Sequence, residues 1–144
     1  MLNGGCACRA VRYRLEGRPY DTGWCHCRIC RHLSGAGGMV FTTVRLTDFH
    51  IESGELNLAR FPSTPTGERT FCMKCGTPIT IHVQHQPGEI DIVAGSLDDP
   101  NAVSPAFHLF MDEAPAWSRI ADGLPAYPAL RPDTRGLPAG QTQL

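Results

Sequence analysis

Seven cysteines stand in three tight clusters, and no other feature limits the possible folds of this chain so strongly. Cys6 and Cys8 form Cys-x-Cys, Cys25, Cys27 and Cys30 form Cys-His-Cys-x-x-Cys, and Cys72 and Cys75 form Cys-x-x-Cys. Cysteines one or two residues apart can aim their sulfurs at one centre, the arrangement that a tetrahedral thiolate zinc site uses. Seven is one short of two closed four-cysteine sites. The simplest allocation is one closed structural zinc and one three-cysteine zinc with an open position, and an open position is what catalysis needs. Two Zn²⁺ per chain are expected.

Other uses of the cysteines fit less well. A disulfide framework wants an even count and a secretory leader. The chain opens Met1-Leu2-Asn3-Gly4-Gly5-Cys6, without a charged or apolar leader segment. Inert buried thiols would not gather into clusters. No apolar run reaches the ~20 residues needed to span a bilayer. These features together predict a reducing, cytoplasmic setting.

The formal charge of −1 counts cysteines as neutral. Seven thiolates and two divalent ions would bring it to −4, which gives no reason to expect nucleic-acid binding. Arg9, Arg12, Arg14, Arg18, Arg28 and Arg31 outnumber Glu16 and Asp21 in the first 31 residues. A solvated arginine-rich surface explains that asymmetry; a basic rim for an anionic substrate is the sharper alternative.

Fifteen glycines and twelve prolines point to many turns and short strands. Ala10 to Leu15 alternates, with Val11, Tyr13 and Leu15 on one face. Further strands are expected over Gly38 to Val44, Arg69 to Cys72, Thr77 to Val83 and Glu89 to Ala94, the last after a Gln86-Pro87-Gly88-Glu89 turn. Phe49 to Ile51 and Leu56 to Phe61 flank Glu52-Ser53-Gly54-Glu55 and read as a hairpin. Arg28 to Leu33 and the turn near Leu97 to Asn101 are the short helical candidates. The fold class is mainly β, in one domain over 1–130, with a flexible tail over 131–144.

Spacing leaves two ways to share the cysteines. Cys27, Cys30, Cys72 and Cys75 could make a zinc ribbon, leaving Cys6, Cys8 and Cys25. Alternatively Cys6 and Cys8 join Cys72 and Cys75, closing a long loop and leaving the compact Cys25, Cys27, Cys30 trio.

Gly5-Cys6-Ala7-Cys8-Arg9-Ala10-Val11-Arg12-Tyr13, Cys25-His26-Cys27-Arg28-Ile29-Cys30-Arg31-His32-Leu33-Ser34-Gly35-Ala36 and Phe71-Cys72-Met73-Lys74-Cys75-Gly76-Thr77-Pro78 occur in this order. Gly95-Ser96-Leu97-Asp98-Asp99-Pro100, His108 and the Trp117 segment ending near Asp122-Gly123-Leu124-Pro125 follow. The whole resembles the glutathione-dependent formaldehyde-activating enzyme family, which includes centromere protein V-like proteins. The resemblance implies small antiparallel sheets in a β-tent stapled by zinc. It implies Cys6, Cys8, Cys72 and Cys75 as structural zinc ligands, and Cys25, Cys27 and Cys30 as ligands of the catalytic zinc. It implies a carbon–sulfur lyase that joins a thiol, glutathione or similar, to formaldehyde or another small carbonyl. Small-molecule thiol and aldehyde partners follow, with no nucleic acid and no membrane. The alternative is a zinc-stapled binding module without catalysis, for which chromatin-associated relatives are the precedent.

A trio zinc closed by a histidine would favour that alternative, and His32, His50, His82, His85 and His108 are the candidates. His26, between two ligands, should point away from the centre they share. Ser34-Gly35-Ala36-Gly37-Gly38 reads as a turn into a strand or as a source of backbone N–H groups for an anion. Asp98 and Asp99 suit a turn or cap before Pro100. Trp117 reads as core.

Overall fold

The computed structural model describes residues 1–132. Most of the expected tail, from 133 on, lies outside the described residues. The described chain is mainly β, as expected, in two sheets with no closed barrel. Three strands, β1 (Leu2–Gly5), β2 (Arg12–Leu15) and β5 (Phe49–Ser53), make an antiparallel sheet in the order β1-β2-β5. Seven make the other: β3 (Tyr20–Cys25), β4 (Met39–Arg45), β6 (Leu58–Thr64), β7 (Gly67–Cys72), β8 (Pro78–Val83), β9 (Glu89–Val93) and β10 (His108–Leu109). Their order is β10-β3-β4-β9-β8-β7-β6, antiparallel except where β10 runs parallel to β3. The helix α1 (Arg28–Ser34) follows β3 at the place expected for it.

Apolar alternation explains the packing. Val11, Tyr13 and Leu15 are fully buried and meet Val44, Ile79, Ile90 and Ile92 from the larger sheet and Leu97 beyond it. Each such side chain contributes about 1.5–3 kcal/mol when fully buried. Tyr13 keeps its hydroxyl satisfied by a 2.7 Å hydrogen bond with Ser96 Oγ. A second, separate cluster gathers Met39, Val93 and Phe110 around Cys25, Cys27 and Cys30. Cys6 and Cys72 belong to the first cluster, so each cysteine group is rooted in its own apolar core.

The expected hairpin does not form. The strands on either side of Gly54 part, β5 pairing with β2 and β6 with β7. Gly54 sits at φ 78°, and a Cβ there would fall 1.7 Å from the Ala10 carbonyl oxygen. A turn of 3-10 helix over Glu55–Asn57 then redirects the chain into the other sheet. The turn expected near Leu97 to Asn101 is present but not helical, closed by Ala102 N–H donating to Asp99 O at 3.2 Å, and the 3-10 helix lies earlier, at Ala94–Ser96. Trp117 is 72% exposed, so it is not core. The Gln86–Glu89 turn is present, closed by Glu89 N–H donating to Gln86 O at 3.1 Å.

Candidate metal centres

Two turns build the first cluster. After β1, Cys6 N–H donates to Val11 O at 3.1 Å and Arg9 N–H to Cys6 O at 2.9 Å, a tight knuckle that places Cys6 and Cys8 together. Between β7 and β8, Cys72 N–H donates to Thr77 O at 2.9 Å and Gly76 N–H to Cys72 O at 2.8 Å. The two knuckles meet, with Cys6 Sγ 3.5 Å from Cys8 Sγ and Cys8 Sγ 3.8 Å from Cys72 Sγ. All four sulfurs of Cys6, Cys8, Cys72 and Cys75 lie within 4.8 Å of one another. Of the two allocations left open by spacing, the structure brings together this one. Thr77 binds the knuckles to each other, accepting from Ala7 N–H at 3.1 Å and meeting Cys75 Sγ at 3.2 Å. That hydroxyl leads the causes that pull the Cys75 thiol down to about 5, so it is a thiolate at neutral pH.

The second cluster is local in sequence and wholly buried. Cys25 ends β3, Cys27 caps α1 with its sulfur accepting from Cys30 N–H at 3.4 Å, and Cys30 lies on the first turn of the helix. The three sulfurs are within 4.8 Å of one another, and among the described residues no histidine, carboxylate or further cysteine joins them. Cys27 is pushed well below an ordinary thiol, chiefly by hydrogen bonds from Cys25 and Cys30. Cys25 is pushed up because it gives those bonds and is buried. Four soft sulfurs at one place and three at the other are donor sets that suit Zn²⁺.

Around the trio lies a frame that sequence reading finds only in part. His26 points away from the cysteines, as its position between ligands predicts. It is 2% exposed, and its Nδ1–H donates to Gly37 O at 3.0 Å. His26 Nε2 and His108 Nδ1 meet at 2.9 Å, and His108 Nε2–H donates to Asp122 at 2.8 Å; with both outer nitrogens donating, the inner hydrogen bond requires one proton more than two neutral rings carry. Both ring nitrogens of His108 are therefore committed, which removes it as a ligand. Burial holds His26 below the usual imidazole value, and the Leu124 N–H and His108 hold Asp122 below the usual carboxylate value. The rings of Trp24, His26 and His108 stack at centroid distances of 5.2–6.2 Å.

Arg69 is the residue that patterning missed. It reads as one member of a strand, yet it is 5% exposed and its Nη2 donates to Cys30 Sγ at 3.4 Å. The N-terminal arginines are otherwise occupied: Arg12 pairs with Asp98, and Arg14 with Glu16 and Glu52. That supports a solvated surface at these positions. Asp99 caps a turn through Asn101 N–H at 2.9 Å, and Asp98 belongs to an ion pair.

Comparison with known proteins places this arrangement. The family model described as glutathione-dependent formaldehyde-activating enzyme matches residues 1–113. A Halomonas elongata protein named "Putative glutathione-dependent formaldehyde-activating enzyme" is 28% identical over 127 residues, 83% of this chain and 81% of its own. A Schizosaccharomyces pombe protein named an uncharacterized lyase is 28% identical over 76 residues, 53% of each chain. The crystal structure of a Rhodobacter sphaeroides protein superposes with a TM-score of 0.58 at 26% identity, covering 72% of this chain and 92% of that one. No helix among the described residues is long and apolar enough to cross a membrane. The chain belongs to the glutathione-dependent formaldehyde-activating enzyme family.

Proposed function

We propose that the protein is a zinc-dependent carbon–sulfur lyase that adds a thiol, glutathione or similar, to formaldehyde or another small carbonyl. The observation that carries this reading is the buried Cys25, Cys27, Cys30 cluster, which no fourth protein donor completes among the described residues. Cys6, Cys8, Cys72 and Cys75 would hold the structural Zn²⁺, and Cys25, Cys27 and Cys30 the one at the reaction centre. When bound there, Zn²⁺ supplies Lewis acidity that lets a thiol ionise near neutral pH.

The reaction balances without any oxidant. A sulfur lone pair forms the carbon–sulfur bond, the C=O π pair moves to oxygen, and the thiol's proton ends on that oxygen as S–CH₂–OH. The residues present do three things. The trio and the apolar side chains around it keep water out. The His26–His108–Asp122 chain fixes the segment that carries Cys25 and Cys27. Arg69 sets a positive charge against the thiolates. The two-sheet arrangement supports a β-tent, and seven unbridged thiols suit the cytoplasm.

The test mixes protein, thiol and formaldehyde and compares adduct formation with the uncatalysed rate, which is appreciable because thiols add to formaldehyde unaided. Acceleration is expected, and Cys27→Ser should abolish it while the β circular dichroism persists. If every thiol tried reacts only at the background rate, the family's binding-module alternative takes its place.

A further inference from the structure

Arg69 raises a charge problem whose solution says where the carbonyl goes. Its guanidinium is buried, and a buried cation without a counter-charge is costly. No carboxylate pairs with it among the described residues. Nε donates to Ser63 Oγ at 3.2 Å, Nη1 to Met39 Sδ at 3.8 Å and Nη2 to Cys30 Sγ at 3.4 Å, while Cζ lies 5.5 Å from the Phe41 ring centroid. Three thiolates holding a divalent ion would leave one negative charge, which this cation would balance. A guanidinium has five N–H groups. Three are committed, and the second N–H on each terminal nitrogen is left over.

Arg69 borders a cavity. Register puts Gly23 opposite Phe41, Thr43 opposite Asp91, Asp91 opposite Ile81, and Ile81 opposite Arg69, while Leu109 lies opposite Cys25. Directly paired residues share a face, and so do residues two apart on one strand. Cys25, Phe41, Thr43, Arg69, Leu109 and, by the same rule, Ile81 and Asp91 therefore line one pocket on the trio's side of the sheet, where Thr43 Oγ1 donates to the Asp91 carboxylate at 2.5 Å. Phe107 roofs it. A Cβ on Gly23 would fall 2.1 Å from the Phe107 ring, so only glycine lets that ring lie against β3. Arg131 stacks on the same ring at 4.1 Å and is held by Asp21 at 2.5 Å, which closes the rim.

The volume decides the class of occupant. The cavity is about 70 Å³, where clefts for drug-sized ligands run from about 300 Å³. That is small for a tripeptide thiol. A one- or two-carbon carbonyl fits.

We infer that this cavity is the carbonyl subsite and that Arg69 is a catalytic residue whose free N–H groups receive the charge developing on the carbonyl oxygen. The inference rests on reading the trio as a centre for thiol addition to a carbonyl. As the carbon–sulfur bond forms and the π pair moves to oxygen, that oxygen becomes an alkoxide until it takes up the thiol's proton. Donors aimed at such an oxygen in a dry site are commonly worth 10²–10³ in rate. The narrow roof selects formaldehyde over longer aldehydes.

The experiment uses the full zinc-loaded chain and has one arm independent of turnover. Formate, a one-carbon planar anion, is titrated calorimetrically into wild type, Arg69→Lys and Arg69→Gln, with butyrate as the size control. Zinc content and circular dichroism establish that each variant is folded. Wild type should bind formate and reject butyrate, Lys should keep part of the affinity and Gln should lose it. In turnover, Arg69→Gln should lower kcat/KM for formaldehyde by about 10²-fold with KM for the thiol unchanged, and Phe107→Ala should admit propanal and butyrate. Formate binding and formaldehyde turnover that are both unaltered in Arg69→Gln would overturn the inference. So would wild type that binds butyrate as well as formate, a result that needs no variant to fold. A wild type that accelerates no thiol addition yet binds formate through Arg69 would overturn the lyase reading while keeping the anion-binding subsite.

Discussion

The two cysteine clusters use the same ligand atoms in opposite ways. The four-cysteine cluster joins segments far apart in the chain, Cys8 to Cys72 across 64 positions, and leaves Cys8 and Cys75 exposed. The three-cysteine cluster spans a single strand end and helix turn, and all of its members are buried. On the function proposed above, metal bound in the first would close a long loop and so support the fold. In the second, sheet, helix and an aromatic–histidine stack already hold the sulfurs together, so the fold would support the metal. The proposal thus makes the closed cluster with exposed edges a staple and the buried incomplete one a site.

Single ligand changes should break that comparison if it is wrong. Structural zinc in zinc-finger peptides is worth about 10–16 kcal/mol in apparent binding energy, which matches or exceeds the ~5–15 kcal/mol stability of a whole domain. Cys72→Ser should therefore abolish cooperative folding, seen as lost β circular dichroism and aggregation. Cys27→Ser should stay folded with one zinc instead of two by elemental analysis. Equal loss of fold in both would make the trio a second staple.

Metal removal should separate the clusters by reactivity. In the interval between chelation and the unfolding that loss of the staple's zinc brings, pulsed alkylation at pH 6 followed by mass spectrometry should modify Cys75 first. Its thiol is held near 5, with the Thr77 hydroxyl the leading cause, and it lies at the surface. Thiolate fraction and access set such rates. Cys25 should react last, because burial and the bonds it gives keep it protonated and covered. Labelling of all seven at one rate would show that the trio loses its frame along with its metal.

The frame itself should respond less steeply. His108 is 2% exposed and bridges His26 to Asp122. His108→Leu leaves the buried His26 Nε2 without its partner, which costs about 1–3 kcal/mol. Thermal unfolding should show that loss with both zincs retained. Loss of the trio zinc alone would mean that this stack, more than the helix turn, holds the cysteines.

How much was legible follows from what produces each feature. The knuckles and the Ala10 to Leu15 strand are written in local spacing and alternation, so they could be read directly. β3 could not, because Asp21 at φ 55° and Gly23 interrupt the alternation over Tyr20–Cys25. The split at Gly54 depends on which sheet each strand joins, a matter of distant partners. Trp117 has a core residue's composition but lies at the surface, 3.4 Å from where a Cβ on Gly37 would stand. Arg69 shows the limit most clearly. An arginine in an alternating strand signals solvent, and only the contact with Cys30, 39 positions away, reverses that.

The smallest effect belongs to the staple's side of the molecule. Arg12 on β2 grips Asp98 beyond β9, with Nη1 donating to Oδ1 at 3.0 Å, and so ties the two sheets together at the surface. The guanidinium holds the Asp98 carboxyl below the usual carboxylate value. A depressed folded value means the pair stabilises above the unfolded value of about 3.9 and is lost as pH falls through the folded one. Both side chains are partly exposed, at 29% and 50%, so screening by solvent limits the gain to about 0–1 kcal/mol. Asp98→Asn should lower the thermal midpoint slightly at pH 7 in low salt. The difference from wild type should shrink in 1 M salt, where the Debye length is ~3 Å, and it should shrink again below about pH 4. A penalty that persists in high salt would mean that Asp98 acts through the bridge between Leu97 and Gly4, and that the sheets are tied by backbone pairing beside the staple.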